Sequence, residues 1–290
     1  MADQITSTTS VSKRGAYVIL DASDKVLSTD SVTAAMWSGN TPTLQVFQTS
    51  SAQVTSAVKE YYTSVFQTAS TGVTAAIQFD IAYANSKGSG SVPLNPLVVG
   101  TTPTRINYGS YRNLILGDEN ATFIFGNYSA SDFYCLPIER ARYKQSILPG
   151  TWTMNISGST NNLQLTDDSK VNTVAQFSDA GRYYNIISGS AGVVATDSIS
   201  TVDGWTPSSG SYGWVLPDVS LLVLNAAALD GAAAVAGGIN LGTSKTNGTW
   251  ADNSARIISA LRLSADASGS GGFTLNSKED LSSDFIFCRA

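Results

Sequence analysis

Residues 75–84 of this chain read "AAIQFDIAYA", and their bulky apolar side chains take every second position. These side chains are Ile77, Phe79, Ile81 and Tyr83. Gln78 and Asp80 fall between them, on the opposite face of the strand that a period of two predicts. The preceding "EYYTSVFQ" (60–67) is also rich in aromatic and β-branched residues, so the two stretches predict a pair of adjacent strands.

A helix over 51–66 is the alternative for the first of these stretches. Four apolar residues there lie at helical spacing: Val54, Val58, Tyr61 and Val65. We therefore predict a short helix followed by a strand.

A second helix is indicated by its end signals in "TPTRINYGSYRNLILGD" (102–118). Thr102 is a candidate N-cap, Pro103 suits the first turn, and Gly117 follows the last apolar residue. We expect three of its residues to face the core: Ile106, Leu114 and Ile115.

Most of the remaining chain consists of short apolar stretches, such as "NLQLTD", "RYYNIISG", "SLLVLN" and "DFIFCR", which predict strands. Two late segments, "NAAALD" and "DNSARIISALRLSA", predict helices. The fold class is therefore α+β and strand-dominated, with antiparallel sheets and a few short helices. We predict an N-terminal arm over residues 1–14 and a β-rich structural body over 15–290. The long Gly- and Pro-containing loop at 85–103 is a possible subdivision of that body and a surface that reaches a neighbour.

The charge balance argues against a general nucleic-acid binder. The net charge is −5, whereas phosphate recognition normally needs a basic excess. The first 15 residues lack the apolar segment of a secretory signal, and no run of about 18 apolar residues predicts membrane insertion. We expect the protein to fold in a cytoplasm, with Cys135 and Cys288 reduced and packed among aromatic residues.

The absence of histidine lowers the expectation of catalysis. It excludes Ser-His-Asp and Cys-His nucleophile systems, and two cysteines cannot form a four-ligand zinc site. The adjacent Asp167 and Asp168 would point to opposite faces of a strand, so we interpret them as turn residues that accept backbone hydrogen bonds. The expectation is a protein that is not an enzyme and that has no cofactor and no metal.

One local cluster of charge stands out in a chain with only 13% charged residues. It lies in "IERARYKQSI" (138–147) and consists of Glu139, Arg140, Arg142, Tyr143 and Lys144. We predict two helical turns here, ended by Pro149 and Gly150. Either the cations are solvated or pair with nearby acids such as Asp132, or the cluster is a docking patch for an acidic, aromatic-lined partner.

The order of several segments resembles a family of virion structural proteins from contractile-tailed cyanobacterial phages. The segments are "DFYCLPIERARYKQSILPGTWTMNISG", "LQLTDDSKVNT" and "GRYYNIISGS", with "WSGNTPTLQVFQTSSAQ" and "YRNLIL" upstream and "GWVLPDVSLLVLNAAALD" and "DFIFCRA" downstream. The similarity covers roughly residues 30–290.

This resemblance implies a non-enzymatic tail component, in the baseplate region of the virion. Its partners would be other phage tail and baseplate proteins in a symmetric assembly of many copies. The alternative is a receptor- or glycan-binding tail tip, which would expose Trp205, Tyr212 and Trp214 in a Gly/Ser-rich loop. A tail-associated hydrolase would need a carboxylate pair that the sequence does not display.

Overall fold

The computed structural model describes residues 25–50, 62–72, 75–93, 95, 97–98, 101–158, 162–172, 174–195, 212–231, 237–246, 252–268 and 272–286. These residues form a strand-dominated fold in which the strands pair antiparallel and the helices are few. The predicted N-terminal arm over 1–14 lies outside the described residues, as does the 51–61 part of the helix considered over 51–66.

The strands within the described residues are β1 (Lys25–Ala35), β2 (Thr43–Leu44), β3 (Gln48–Thr49), β4 (Thr63–Phe66), β5 (Ile77–Asn85), β6 (Phe123–Phe125), β7 (Tyr128–Ala130), β8 (Asp132–Pro137), β9 (Ser146–Ile147), β10 (Thr153–Ser157), β11 (Asn162–Asp167), β12 (Gln176–Ser178), β13 (Gly181–Ser190), β14 (Val193–Val194), β15 (Gly213–Leu216), β16 (Leu221–Asn225), β17 (Phe273–Thr274) and β18 (Asn276–Ile286). The α-helices are α1 (Pro103–Leu116), α2 (Ala226–Asp230) and α3 (Asp252–Ser268).

The main sheet curls back on itself. Eleven of its strands follow the order β2-β17-β10-β11-β13-β15-β16-β8-β5-β4-β3, and β12 and β14 both pair with β13. A flat sheet of this size would be about 48 Å wide, because neighbouring strands lie about 4.8 Å apart. Its two edge strands are joined by residues 45–47 alone, a link that reaches at most about 14 Å. The sheet therefore forms a half-barrel.

The central strands are buried on both faces of this sheet. On β5, Phe79 and Ile81 belong to the core inside the curl, whereas Ala82 belongs to a second core outside it. Neighbouring β16 divides in the same way, with Leu222 inside and Val223 outside. Burial on both faces explains why the predicted strand "SLLVLN" is apolar at successive positions rather than at alternate ones.

Helices cover both faces. Helix α3 packs against β10 and β5 on the inner side, where Ile257 and Leu261 join the inner core. Helix α1 packs on the outer side of β5 and places Tyr108 and Ile115 in the outer core. Both predicted late helices are confirmed as α2 and α3.

The predicted ends of α1 are confirmed, but its predicted core face is partly wrong. Gly117 takes a left-handed conformation and its N–H donates to the Asn113 carbonyl. Ile115 is fully buried, yet Ile106 is 39% and Leu114 is 50% exposed. At about 100° per residue, Ile106 lies on the side of the helix opposite Ile115. The face that meets the sheet instead carries Thr104, Asn107 and Tyr108.

The opening strand pair is confirmed. Strand β4 pairs antiparallel with β5, with Thr63 opposite Ile81. The described part of the 85–103 loop after β5 is irregular, as predicted, with Leu97 93% exposed at its surface. Its predicted contact with a neighbour stays a prediction.

Candidate assembly surfaces

A two-stranded ribbon extends from the body of the protein. Strands β1 and β18 pair along all eleven residues of each, but β9 pairs with β18 only at Ser277 and Lys278. We call residues 26–33 and 279–286 the ribbon arm. Of its sixteen side chains fourteen are exposed and two are half-buried, so both faces of the arm are open. Eight residues of strand span about 27 Å.

One face of the ribbon arm carries four apolar side chains among two serines and two carboxylates, while Leu27 and Ile286 lie on the other face. The register places Val26 opposite Phe285 and Val32 opposite Glu279 on the first face, with Leu281 opposite Asp30 between them. The four apolar side chains are each 45–53% exposed. A lone two-stranded ribbon is at best marginally stable in water, and apolar side chains grouped on one open face are typical of contact surfaces. The arm therefore has the form of an element that packs on another chain.

The basic segment, which we define as residues 139–145, lies at the base of this arm. The predicted two helical turns are wrong, because only Arg140–Arg142 forms a single 3-10 turn. The chain then becomes extended, since the backbone N–H groups of Gln145 and Leu148 donate to the carbonyls of Lys278 and Asn276. These bonds to β18 replace the bonds that a helix would need.

The cations of the basic segment differ in their surroundings. Arg140 is exposed, with its guanidinium 4.7 Å from the centre of the Tyr143 ring and a hydrogen bond of 2.8 Å to the Tyr143 carbonyl. Arg142 is half-buried and donates from one terminal nitrogen to Ser38 Oγ at 2.6 Å. Lys144 is exposed. Arg140 and Lys144 are thus exposed to solvent, whereas Tyr143 is half-buried against the inner core and Arg142 supports the fold.

The predicted pairing of these cations with Asp132 is wrong. The Asp132 side chain is 1% exposed, accepts a hydrogen bond of 2.9 Å from the Tyr83 hydroxyl, and forms an ion pair with Lys245 at 3.4 Å. Among the ion pairs of the described residues, none includes a cation of the basic segment. Of these cations, Arg140 and Lys144 are exposed, whereas Arg142 is held by Ser38.

Glu139 acts on a buried carboxyl of the sheet. Its backbone N–H donates to the Gln78 carbonyl on β5, two residues from Asp80. Burial raises the pKa of the Asp80 carboxyl above 3.8, the Ser64 hydrogen bond partly opposes this, and the negative charge of Glu139 raises the pKa further. The Oδ1 atom of Asp80 is buried without a hydrogen-bond partner. Ionised Asp80 is thus a cost to the fold.

Replacing Asp80 by asparagine should change how stability depends on pH. A raised pKa means that the folded protein holds the proton more tightly than the unfolded chain does, so stability is lost as the pH rises above about 4. The Asp80→Asn variant lacks this titration. The free energy of unfolding of this variant, relative to that of the wild type, should therefore increase between pH 4 and pH 7. Urea unfolding measures both. A difference that stays constant over this range would contradict the assignment.

The adjacent carboxylates accept backbone hydrogen bonds, as predicted, but the predicted turn is wrong for Asp167, which ends strand β11, while Asp168 follows the strand. Asp167 accepts from the backbone N–H of Gly150 at 2.9 Å and from that of Ser169 at 3.1 Å. Asp168 accepts from the backbone and side-chain amides of Asn185. Backbone amides hold both side chains in place, so neither is presented to a substrate.

Two further expectations are decided by burial. Cys135 is a free, fully buried thiol whose pKa is raised by burial, whereas Cys288 lies outside the described residues.

The exposed aromatic platform of the glycan-binding alternative is wrong at two of its three positions, because Tyr212 is 0% and Trp214 is 6% exposed. Trp205 lies outside the described residues.

Neither a metal site nor a membrane-spanning helix is found among the described residues. In the described residues, no group of three or more Cys, Asp or Glu side chains is arranged to hold a metal ion. No helix in the described part of the chain is both long enough and apolar enough to cross a membrane.

Sequence reasoning missed most of the ribbon arm. Only its end, "DFIFCR", was predicted as a strand, whereas β18 begins at Asn276. Strand β1, "KVLSTDSVTAA", was not predicted, because its apolar residues Val26 and Val32 are separated by five mostly polar ones. The available signal was the run of β-branched Val and Thr, which favours strands.

The arm and the basic segment are two of the exposed surfaces in the described part of the chain. No protein-family model matches this chain, and no curated protein or solved structure is significantly similar to it.

Proposed function

We propose that this protein is a structural subunit of a contractile phage tail, in the baseplate region, where it holds neighbouring subunits together. The ribbon arm is the observation that carries the proposal. Along about 27 Å it exposes four apolar side chains on one face and two on the other, and such side chains are stabilised when another chain covers them.

The character of the surface supports the same function. Only 13% of the residues are charged, and the many small polar residues suit a surface that is replaced in part by subunit contacts. Segments over roughly residues 30–290 occur in the same order as in the tail proteins that the chain resembles. This resemblance supports a position in the tail of the virion. The mechanism is mechanical: a rigid half-barrel positions the arm and the basic segment, and conformational change occurs at the contacts between subunits.

The test is the protein content of particles of the phage that encodes this chain. Tails are separated from heads, and mass spectrometry measures the copy number of this chain against the sheath protein. We expect a fixed ratio to sheath in tails and none in heads, because a baseplate has a fixed number of copies. Recovery in the free lysate alone, or in heads alone, would contradict the proposal.

A further inference from the structure

A cleft lies beside helix α3, between the helix, the end of β10 and residues 239–241. Its volume is about 430 Å³, which is within the range of sites that bind small molecules. Gly158 at the end of β10 allows the backbone of Ile239 to approach closely, because a Cβ at Gly158 would meet the Ile239 carbonyl oxygen. The side chains that α3 contributes to the cleft are mostly small, which leaves room beside the helix: Ala255, Ser259 and Ala260.

Much of the cleft surface is apolar. Ile239 and Leu241 line it and belong to the inner core, where they are 1% and 8% exposed. Leu263 of α3 also lines the cleft, and 49% of its side chain is exposed. An apolar chain or ring would gain free energy by leaving water for this surface.

A buried hydroxyl that lacks a partner also lines the cleft. Ser157 is 3% exposed, and its Oγ atom is buried without a hydrogen-bond partner. A buried hydroxyl that makes no hydrogen bond lowers the stability of the fold. A ligand oxygen within hydrogen-bond distance of Ser157 would offset that cost.

Arg256 supplies the charge of the cleft. Its side chain is exposed, and one terminal nitrogen donates to the Leu241 carbonyl at 3.4 Å, which holds the guanidinium beside the apolar wall. Among the described residues that line the cleft, Arg256 is the only charged one. The ion pairs found in the described part of the chain do not include it. A guanidinium favours a carboxylate, which it can hold through two parallel hydrogen bonds.

We propose that this cleft binds a small carboxylate that carries an apolar chain or ring. The carboxylate pairs with Arg256, and the apolar part lies against Leu241 and Leu263. An oxygen of the ligand accepts a hydrogen bond from the Ser157 hydroxyl. The site adds ligand binding to the proposed structural function, and either can fail without the other.

Three compounds of the same shape test the preference for negative charge. They are 4-phenylbutyrate, 4-phenylbutan-1-ol and 4-phenylbutylamine, which differ only in an anionic, neutral or cationic end. In NMR titrations of ¹⁵N-labelled protein, we expect 4-phenylbutyrate to bind with a Kd of about 1 mM or below. The other two should bind at least about ten-fold more weakly, because neither pairs with Arg256. The amide shifts should centre on residues 239–241 and 255–263.

Arg256→Gln tests the pairing with the carboxylate. In this variant the acid and the alcohol should bind within about two-fold of each other, because only the charge-assisted bond distinguishes them. The matched control is Arg105→Gln, which removes an exposed guanidinium from α1 and should keep the ten-fold preference.

Ser157→Ala separates a binding role from a structural one. We expect 4-phenylbutyrate to bind about five-fold more weakly or worse, since one hydrogen bond is lost. The thermal unfolding midpoint of the ligand-free variant should stay the same or rise, because the unpaired hydroxyl is gone. A serine that only supports the fold would give the reverse, a lower midpoint with unchanged binding.

Ser259→Phe should block the cleft. Ser259 is an exposed position on α3, so the larger side chain can be accepted without disturbing the core. Ser110→Phe makes the same change at an exposed position of α1 and should bind 4-phenylbutyrate like the wild type. Circular dichroism checks the fold of every variant. Equal binding of the three compounds, wild-type binding by Arg256→Gln or Ser259→Phe, or no binding of the acid at about 10 mM would overturn the inference.

Discussion

Phe273→Ala should lower the free energy of unfolding by about 3–5 kcal/mol, the usual cost of truncating a buried aromatic residue. Phe273 is fully buried, and its ring centre lies 4.9 Å from that of Trp37, 5.5 Å from that of Phe79 and 6.5 Å from that of Trp152. Its carbonyl also accepts a hydrogen bond of 2.8 Å from the Trp37 indole. The large expected loss reflects a cavity at the point where distant parts of the curled sheet meet.

The matched control is Phe177→Ala, which removes the same side chain from a site where it is 71% exposed. Its unfolding free energy should stay within about 0.5 kcal/mol of the wild type. Urea unfolding followed by tryptophan fluorescence measures both variants. Equal losses for the two variants would show that burial of Phe273 is not the cause. Because β18 begins three residues after Phe273, we also expect the alanine variant to weaken the base of the ribbon arm.

Gly213→Ala should be at least as damaging, with a loss of about 3 kcal/mol or more. Gly213 has a φ of +133°, which side chains rarely adopt, and a Cβ built there would lie 1.8 Å from the Val223 carbonyl oxygen. That oxygen belongs to the neighbouring strand β16 in the middle of the main sheet. The backbone cannot move away without breaking the pairing of Gly213 with Leu224.

Gly109→Ala is a control that should raise the stability of the protein rather than lower it. Gly109 lies inside α1, and nothing is within 4 Å of a Cβ built there. Alanine is the better helix former, so stability should rise by about 1 kcal/mol. Thermal unfolding of both variants gives the comparison. A stabilised Gly213→Ala variant would show that the backbone at this position is not the constraint described above.

Both sites bear on the proposed role as a structural subunit, because each constrains the main sheet. The tight strand contact at Gly213 fixes the centre of the sheet, and the aromatic cluster around Phe273 holds its two halves in the curl. A rigid body of this kind keeps the arm and the basic segment in constant relative position. In a symmetric assembly, every subunit must hold its contact surfaces in the same relative position.

Local sequence patterns were sufficient to predict those elements whose conformation depends on residues nearby in the chain. The alternation of Ile77, Phe79 and Ile81 placed β5, and Pro103 with Gly117 placed the ends of α1. Prediction failed for the basic segment, because its local preference for a helix lost to backbone hydrogen bonds with β18, more than 130 residues away in the chain.

The sequence by itself determined the strand-rich class, the principal helices and the local clustering of charge at 139–144, because each depends on neighbours along the chain. The tertiary structure alone decided that the sheet curls, that Tyr212 and Trp214 are buried, and that β1 and β18 leave the body as an arm. The curl and the arm depend on contacts between residues more than 200 positions apart, such as Trp37 with Phe273 and Val26 with Phe285. The burial of Trp214 depends on Phe123 and Tyr183, which lie closer in the chain but not beside it. No local period encodes such contacts; they form only when the whole chain has closed around its core.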